Sequence, residues 1–249
     1  MVGALAVFAL IADTPPVVEY LSFADAITRG ATVTELEDAS VNALLVTNPL
    51  DVPVLLYAGQ EVLGAQQNRI FADSVLVHAR AEQRVSVNCV EHGRWDDVRH
   101  AEPFAPAPQA AYPALRKQVG QRAVWSEVRA RAERAGVDTD TEAVHDLYEH
   151  HRADLEGIGG RITRREGQVG TIAAVAGAFV VLDRVSRPDV WAALHGPIVQ
   201  GYALDALDAG ERLAPQEPPA PADALAFAAN GNARALHHEG ELIALTVFG

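Results

Sequence analysis

Two short segments of the sequence, residues 59–69 and residues 88–95, concentrate side chains that can bind ligands or transfer protons. In the first segment, three consecutive amide side chains at positions 66–68 precede Arg69 within apolar surroundings. Because unpaired amides are costly to bury, such a run either faces solvent in a loop or lines a polar cleft. The planar guanidinium of Arg69 suits a carboxylate or a phosphate group. The segment therefore predicts an anion-binding site.

The second segment follows an alternating pattern that predicts which side chains share one face of a strand. One predicted face holds Val85, Val87, Cys89 and Glu91. A thiol beside two valines is typical of an inert, small hydrophobic residue, so we interpret Cys89 as structural. Glu91 ends this apolar face, where a desolvated carboxylate can serve as a general base. An ion pair of Glu91 with Arg94 or Arg69 is the alternative.

These residues support two hypotheses of different kinds. In the first, the protein binds, and acts on, a phosphorylated nucleotide or an ADP-ribose-like metabolite. The arginines would hold phosphate, the amides would contact sugar hydroxyls, and a glutamate would be the general base. The candidate catalytic residues are Glu61 and Glu91, and the candidate ligand-binding residues are Gln67, Asn68, Arg69, Arg94 and Trp95.

The second hypothesis is a structural or interaction protein without catalysis. The same polar cluster would then be a buried network that sets strand register, and Trp95 would belong to the core. An arginine-rich helix over residues 115–134 would suit contacts between copies in a homo-oligomer. Whether the protein is an enzyme stays open at this point.

The metal and cofactor motifs that we sought are missing from the sequence. Its nine histidines form no HExxH motif and no cupin-like pattern, and its single cysteine excludes a multi-cysteine zinc site. No Walker loop, dinucleotide-binding glycine motif or GxSxG elbow occurs. We therefore predict no metal and assign no cofactor. A third hypothesis is a metal hydrolase that uses Glu91 and His92 as metal ligands.

Charge and composition narrow the range of partners. The 249 residues include 20 basic and 33 acidic side chains, a net charge of −13, which argues against a nucleic-acid partner. A single cysteine is typical of the reducing cytoplasm, which we take as the location. The apolar run 169–182 is shorter than the roughly 20 residues of a membrane span, so no membrane partner is expected. No basic residue precedes Arg29, so residues 1–12 predict a buried strand rather than a secretory signal.

Hydrophobic periodicity predicts an α+β fold with a β-rich sandwich or barrel-like core and an inserted helical segment. We expect strands at residues 43–47, 52–57, 70–78 and 84–91, a hairpin loop at 80–83, and a closing hairpin at 233–248. We expect helices over 22–28, 114–135, the stretch after a capping box at 139–142, and 188–207 with a break or kink at 196–197. Residues 101–113 read as a loop.

These elements predict one domain over residues 1–249. Its β-rich part would cover residues 1–95, its helical insertion residues 110–160, and its closing part residues 168–249. In this arrangement the closing part completes the core, and strands from both ends of the chain share one sheet system.

The polar segments also resemble a known family of prokaryotic proteins, the ADP-ribosylglycohydrolase and rhodanese-phosphatase-superfamily-associated protein domain. The similarity rests on GQE at 59–61, GAQQNR at 64–69, SVNCVEHGRW at 86–95, RP at 187–188, GYALDAL at 201–207 and EGELI at 239–243. Gln60 departs from the Gly-Glu-Glu expected there, so only the second acidic position is retained. The resemblance implies an intracellular role near nucleotide or NAD-derived metabolites and carries over no catalytic residue.

Overall fold

Apolar, β-branched runs form strands and the alanine- and arginine-rich stretches form helices, giving the α+β fold class that the sequence predicts. The computed structural model describes residues 2–37, 40–64, 67–92, 104–139, 141–212 and 217–249. The chain divides into two compact units: unit 1 is Met1–Val18 with His151–Gly249, and unit 2 is Glu19–His150. Unit 2 thus lies within the sequence of unit 1, and the single-domain hypothesis stays a prediction.

The strands and helices of the described residues follow in chain order. The strands are β1 Leu5–Ile11, β2 Leu21–Ser22, β3 Thr32–Thr34, β4 Ala43–Asn48, β5 Val54–Leu56, β6 Gln60–Leu63, β7 Arg69–Phe71, β8 Val75–Val77, β9 Ala81–Cys89, β10 Ala105–Ala110, β11 Gln168–Val175, β12 Ala178–Val185, β13 Asn232–His238 and β14 Glu241–Phe248. The helices are α1 Phe23–Thr28, α2 Pro113–Arg116, α3 Gln121–Ala135, α4 Val144–His150, α5 Arg152–Gly159, α6 Pro188–Arg212 and α7 Asp223–Asn230.

Unit 1 is built on a five-stranded antiparallel sheet in the order β1-β11-β12-β14-β13. The first strand and the closing hairpin therefore belong to one sheet. The hairpin prediction is confirmed, and the chain reverses at Glu239 and Gly240, both with positive φ. The apolar run 169–182 lies in two paired strands, β11 and β12.

Helix α6 of unit 1 continues through Pro197, so the predicted break at this position is wrong. Apolar side chains on both sides of the proline, including Trp191, Leu194 and Ile198, are buried. Burial of this face outweighs the roughly 3 kcal/mol cost of an interior proline. Within the described ranges, no helix combines the length and the hydropathy that a membrane span requires.

Unit 2 contains a six-stranded sheet in the order β10-β6-β7-β9-β4-β3 and a three-stranded sheet in the order β2-β5-β8. The predicted strand over 70–78 divides into β7 and β8, which lie in different sheets. The predicted hairpin loop at 80–83 is also wrong, because β9 begins at Ala81, directly after Arg80 with its positive φ. Local sequence shows a β-branched run but not the sheet that each half of it joins.

Strand β10 replaces the loop that the proline-rich composition predicts. It lies at the edge of the six-stranded sheet and pairs only with β6 among the described strands. An edge strand tolerates Pro106 and Pro108 because one side of its backbone needs no partner strand. This strand carries Gln109 into the interior of unit 2.

Three helices of unit 2 match their predicted ends in part. Ser22 caps α1 by accepting from the Asp25 amide, as expected. The helix predicted over 114–135 is divided at Gly120 (φ 87°). Before α4, the Thr139 hydroxyl accepts from the Ala143 amide at 3.3 Å, whereas Glu142 pairs with Arg129 instead of completing the capping box.

Two glycines of unit 1 give opposite predictions for stability. A Cβ atom on Gly170 would lie 2.4 Å from the Asp183 carbonyl oxygen, in the backbone of β12. We expect Gly170→Ala to lower the free energy of unfolding by about 1–3 kcal/mol. Gly157→Ala, in open space on α5, should raise it by up to about 1 kcal/mol. Urea denaturation measures both, and equal midpoints would contradict the close packing of β11 and β12.

Candidate functional site

The Glu61 carboxyl group belongs to the first of two buried polar groups in unit 2. It lies on β6, and the residue is 1% exposed. The Gln109 Nε2 group donates a 2.7 Å hydrogen bond to Glu61 Oε2. Among the residues that the structure describes, Glu61 Oε1 has no hydrogen-bond partner. A buried polar atom without a partner is rare in folded proteins and calls for a water molecule or a ligand.

The surroundings of Glu61 favour its neutral, protonated form. Burial raises the pKa of Glu61 to about 8, and the charges of Glu91 and Asp146 act in the same direction. The hydrogen bond from Gln109 partly opposes this rise. Near neutral pH the carboxyl group therefore carries its proton and can act first as a general acid.

A row of side chains connects Glu61 with the surface of unit 2. Gln109 Nε2 lies 2.9 Å from His145 Nδ1. Because an amide NH2 group can donate hydrogen bonds but not accept them, Gln109 is the donor and the ring nitrogen the acceptor. His145 Nε2 lies 3.8 Å from the Glu149 carboxylate. The His145 and Glu149 side chains are 29% and 43% exposed, so the row ends at the surface.

Backbone contacts hold this row in place. Ala110 of β10 pairs with Gln60 of β6, which brings Gln109 beside Glu61. The Tyr148 hydroxyl of α4 donates to the Ala110 carbonyl at 2.6 Å. The start of α4 is joined to the segment after β9, because the Val144 amide donates to the Val90 carbonyl at 2.9 Å.

Arg69 and Gln67 form a second buried group in the same sheet. Arg69 is 0% exposed, and its Nη1 donates to the Gln67 carbonyl at 2.9 Å and to Gln67 Oε1 at 3.3 Å. Its Nη2 lies 3.6 Å from Glu35 Oε1. The guanidinium that the sequence assigns to a ligand is therefore engaged by neighbouring side chains within the fold.

Glu91, Asn68 and Cys89 adjoin this group. Glu91 Oε2 accepts a 3.0 Å hydrogen bond from the backbone N–H group of Asn68. The Cys89 thiol lies 3.0 Å from Gln67 Oε1 and 2.8 Å from the Glu91 carbonyl oxygen, both within hydrogen-bond distance. Burial raises the pKa of the Cys89 thiol, which keeps it protonated. The predicted shared face is confirmed by the burial of all four of its residues, Val85, Val87, Cys89 and Glu91.

The structure buries five of the seven predicted site residues but does not bring them to one point, because Glu61 pairs with Ile70 and Arg69 with Val62, so that the two side chains leave opposite faces of the sheet. The five buried residues are Glu61, Gln67, Asn68, Arg69 and Glu91. Arg94 and Trp95 lie outside the described residues. The sequence analysis missed Gln109, His145 and Glu35, because the proline-rich run hid a strand and nothing in the sequence links the other two to the predicted site residues.

His92, which follows Glu91 in the sequence, lies beside Glu142 and Trp125. His92 Nδ1 lies 3.6 Å from Glu142 Oε2, and its ring stands edge-on to Trp125 with the ring centroids 4.5 Å apart. Over the described ranges, no three His, Cys, Asp or Glu side chains are grouped so as to hold a metal ion.

The high pKa of Glu61 predicts how stability changes with pH. Below its ordinary value of 4.5, the folded and unfolded chains both hold this proton, and between 4.5 and about 8 only the folded chain keeps it. The Glu61 contribution to the free energy of unfolding therefore falls as pH rises, by up to about 1.4 kcal/mol per pH unit. Glu61→Gln should remove this slope, whereas Glu82→Gln, at an exposed site on β9, should retain it. Urea denaturation from pH 5 to pH 8 measures it, and equal slopes in both variants would contradict the assignment.

Comparisons with known proteins place the chain in a family. Searches of curated proteins and of solved structures found no significant match. The family model described as the ARG and Rhodanese-Phosphatase-superfamily-associated Protein domain matches residues 1–243. The match covers nearly the whole chain and includes both polar segments that suggested the resemblance. The chain therefore belongs to the family of ARG and Rhodanese-Phosphatase-superfamily-associated Protein domains.

Proposed function

We propose that this protein binds a phosphorylated nucleotide or an ADP-ribose-like metabolite in the cytoplasm, and that Glu61 transfers a proton to or from the bound molecule. The observation that carries the proposal is the Glu61 carboxyl group, which is buried and protonated near neutral pH. Its Oε1 atom lacks a partner among the described residues. Strongly shifted carboxyl groups of this kind cluster at functional sites.

The proposed roles follow the positions of the neighbouring groups. Gln109 orients the Glu61 carboxyl group, and Glu91 is the second acid–base group. The predicted ligand contacts of Gln67, Asn68 and Arg69, together with Arg94 and Trp95, remain part of the proposal.

Two buried arginines of unit 2 support an anionic ligand. Arg116 and Arg131 are 5% and 3% exposed, and both guanidinium groups lie over aromatic rings, those of Tyr57 and Tyr112. The Arg116 side chain packs so closely on Gly59, two residues before Glu61, that a Cβ atom there would lie 2.5 Å from Arg116 Cδ. The family description also names an association with the rhodanese-phosphatase superfamily.

Calorimetry with ADP-ribose, NAD and nucleoside monophosphates and diphosphates tests binding, and release of product from the ligand that binds tests turnover. Because Gln mimics the protonated carboxyl group but holds no transferable proton, Glu61→Gln should bind within a few-fold of the parent. Its turnover should fall by about 100-fold or more. Glu82→Gln is the matched control and should keep both properties. An absence of heat at millimolar ligand, or full turnover by Glu61→Gln, would refute the proposal.

The burial of Arg69 favours a second candidate, a structural or homo-oligomeric interaction protein. In this alternative the cluster around Arg69, Gln67 and Glu35 sets the register of β6, β7 and β9, and no metabolite binds. Such a network stabilises one arrangement of strands because each of its polar groups requires its partners. Sedimentation analysis of the purified protein tests the homo-oligomer.

Variants of Arg69 measure how much the fold depends on this cluster. We expect Arg69→Met to lower the free energy of unfolding by about 3–5 kcal/mol, because the buried Glu35 carboxylate loses its counter-charge. The double variant Arg69→Met/Glu35→Gln should recover part of this loss, and Arg84→Met, at an exposed site on β9, should change little. Chemical denaturation gives these values. A folded, stable Arg69→Met protein that has lost metabolite binding would instead favour the ligand-binding function.

A further inference from the structure

A cavity in unit 1 combines positive charge with a buried ring nitrogen that has no hydrogen-bond partner among the described residues. Its volume is about 200 Å³, and it lies against one face of β1, where Leu5, Val7 and Ala9 alternate. The opposite wall is the segment between α5 and β11, with Arg161 and Arg165, and His195 of α6 also lines it. The family match and the site in unit 2 assign no role to this cavity.

The segment between α5 and β11 is strongly basic. Residues 161–165 include Arg161, Arg164 and Arg165, all exposed. None of the three forms an ion pair with a described residue, and none of the described residues that line the cavity is acidic. Uncompensated guanidinium groups at the mouth of a small cavity attract anions and match the geometry of phosphate oxygens.

His195 provides the buried end of the site. The residue is 8% exposed, and its Nε2 atom has no hydrogen-bond partner among the described residues. A buried ring nitrogen of this kind normally has a partner, and because His195 lines the cavity, we infer that a polar ligand there supplies it. Burial lowers the pKa of His195, and the charge of Arg164 acts in the same direction. The neutral ring can donate one hydrogen bond from Nε2 to an oxyanion.

Gln168 anchors the basic segment at the edge of the cavity. Its Oε1 atom accepts a 2.9 Å hydrogen bond from the Arg165 amide. Its Nε2 group donates to the Gly170 carbonyl at 2.9 Å and to the Thr171 hydroxyl at 3.0 Å. The backbone at Arg165 is therefore held against β11 before any ligand arrives, which lowers the entropic cost of binding.

We propose that this cavity binds a small phosphate group, with Arg161 and Arg165 as its charge partners and His195 as the donor at its inner wall. The size of the cavity limits the ligand, because about 200 Å³ is below the roughly 300–1,000 Å³ of pockets for drug-sized molecules. It suits inorganic phosphate or the phosphate of a small phosphomonoester. The site is separate from the Glu61 cluster and does not depend on the proposed function of unit 2.

Titration calorimetry of the full-length protein with sodium phosphate, at constant ionic strength set by sodium chloride, tests the site. We expect saturable binding in the parent protein. The double variant Arg161→Gln/Arg165→Gln should bind at least about tenfold more weakly, since it removes both charged donors to the phosphate oxygens. Arg122→Gln, an exposed site on α3, should bind within about twofold of the parent and controls for loss of positive charge. Equal affinity of the double variant and the parent, or no saturable binding at millimolar phosphate, would overturn the proposal.

Two further arms identify the contact and the source of the phosphate. The ring nitrogens of His195, followed by NMR in labelled protein, should shift on addition of phosphate in the parent, and unchanged signals would overturn the role of His195. Glycerol 3-phosphate competing with inorganic phosphate would support a phosphomonoester, and failure to compete would support free phosphate. The Arg161→Gln/Arg165→Gln variant should bind nucleotides as the parent does, so a failure of this site is distinguishable from a failure of the function proposed for unit 2.

Discussion

The cost of burying a carboxylate governs the polar interior of unit 2. An isolated charge in an apolar interior is so unfavourable that the group takes up a proton instead. Glu61 follows this rule, since its pKa rises to about 8 while the Gln109 amide holds one of its oxygens. The position of Gln109 depends in turn on the edge strand β10, and α4 fixes that strand through Tyr148. The hydrogen bond to the Glu61 carboxyl group therefore depends on the sheet order and on the position of α4.

The candidate sites of the two units hold their charged groups in different ways. In the unit 2 site, charged side chains lie inside the fold, and Arg69 with Glu35 is the clearest example. In unit 1 the arginines at 161, 164 and 165 remain exposed beside a small cavity, and only His195 is buried there. A buried network stabilises a particular arrangement of strands, whereas exposed arginines remain available to a ligand. The two proposals of anion binding therefore rest on different physical grounds.

Several elements show how far sequence reasoning reached. Alternation along β9 correctly placed Val85, Val87, Cys89 and Glu91 on one buried face, because a strand has a strict period of two. The closing hairpin was predictable from two apolar runs around Glu239 and Gly240. The proline-rich run before α2 was misread, since prolines disfavour central strands but are accepted at an edge. The interior Pro197 of α6 was misread because burial of the surrounding apolar face exceeds the local cost.

The sequence by itself determined the α+β class, the strand faces and the two segments that hold the catalytic candidates Glu61 and Glu91, because these follow from composition and local periodicity. Only the tertiary structure decided that Gln109 and His145 join Glu61, and that Arg69 meets Glu35. Those contacts connect residues that are 34 to 48 positions apart in the sequence. Sheet order and the packing of α4 bring these residues together. Sheet order depends on how all the strands pack together, and the local sequence pattern does not predict it.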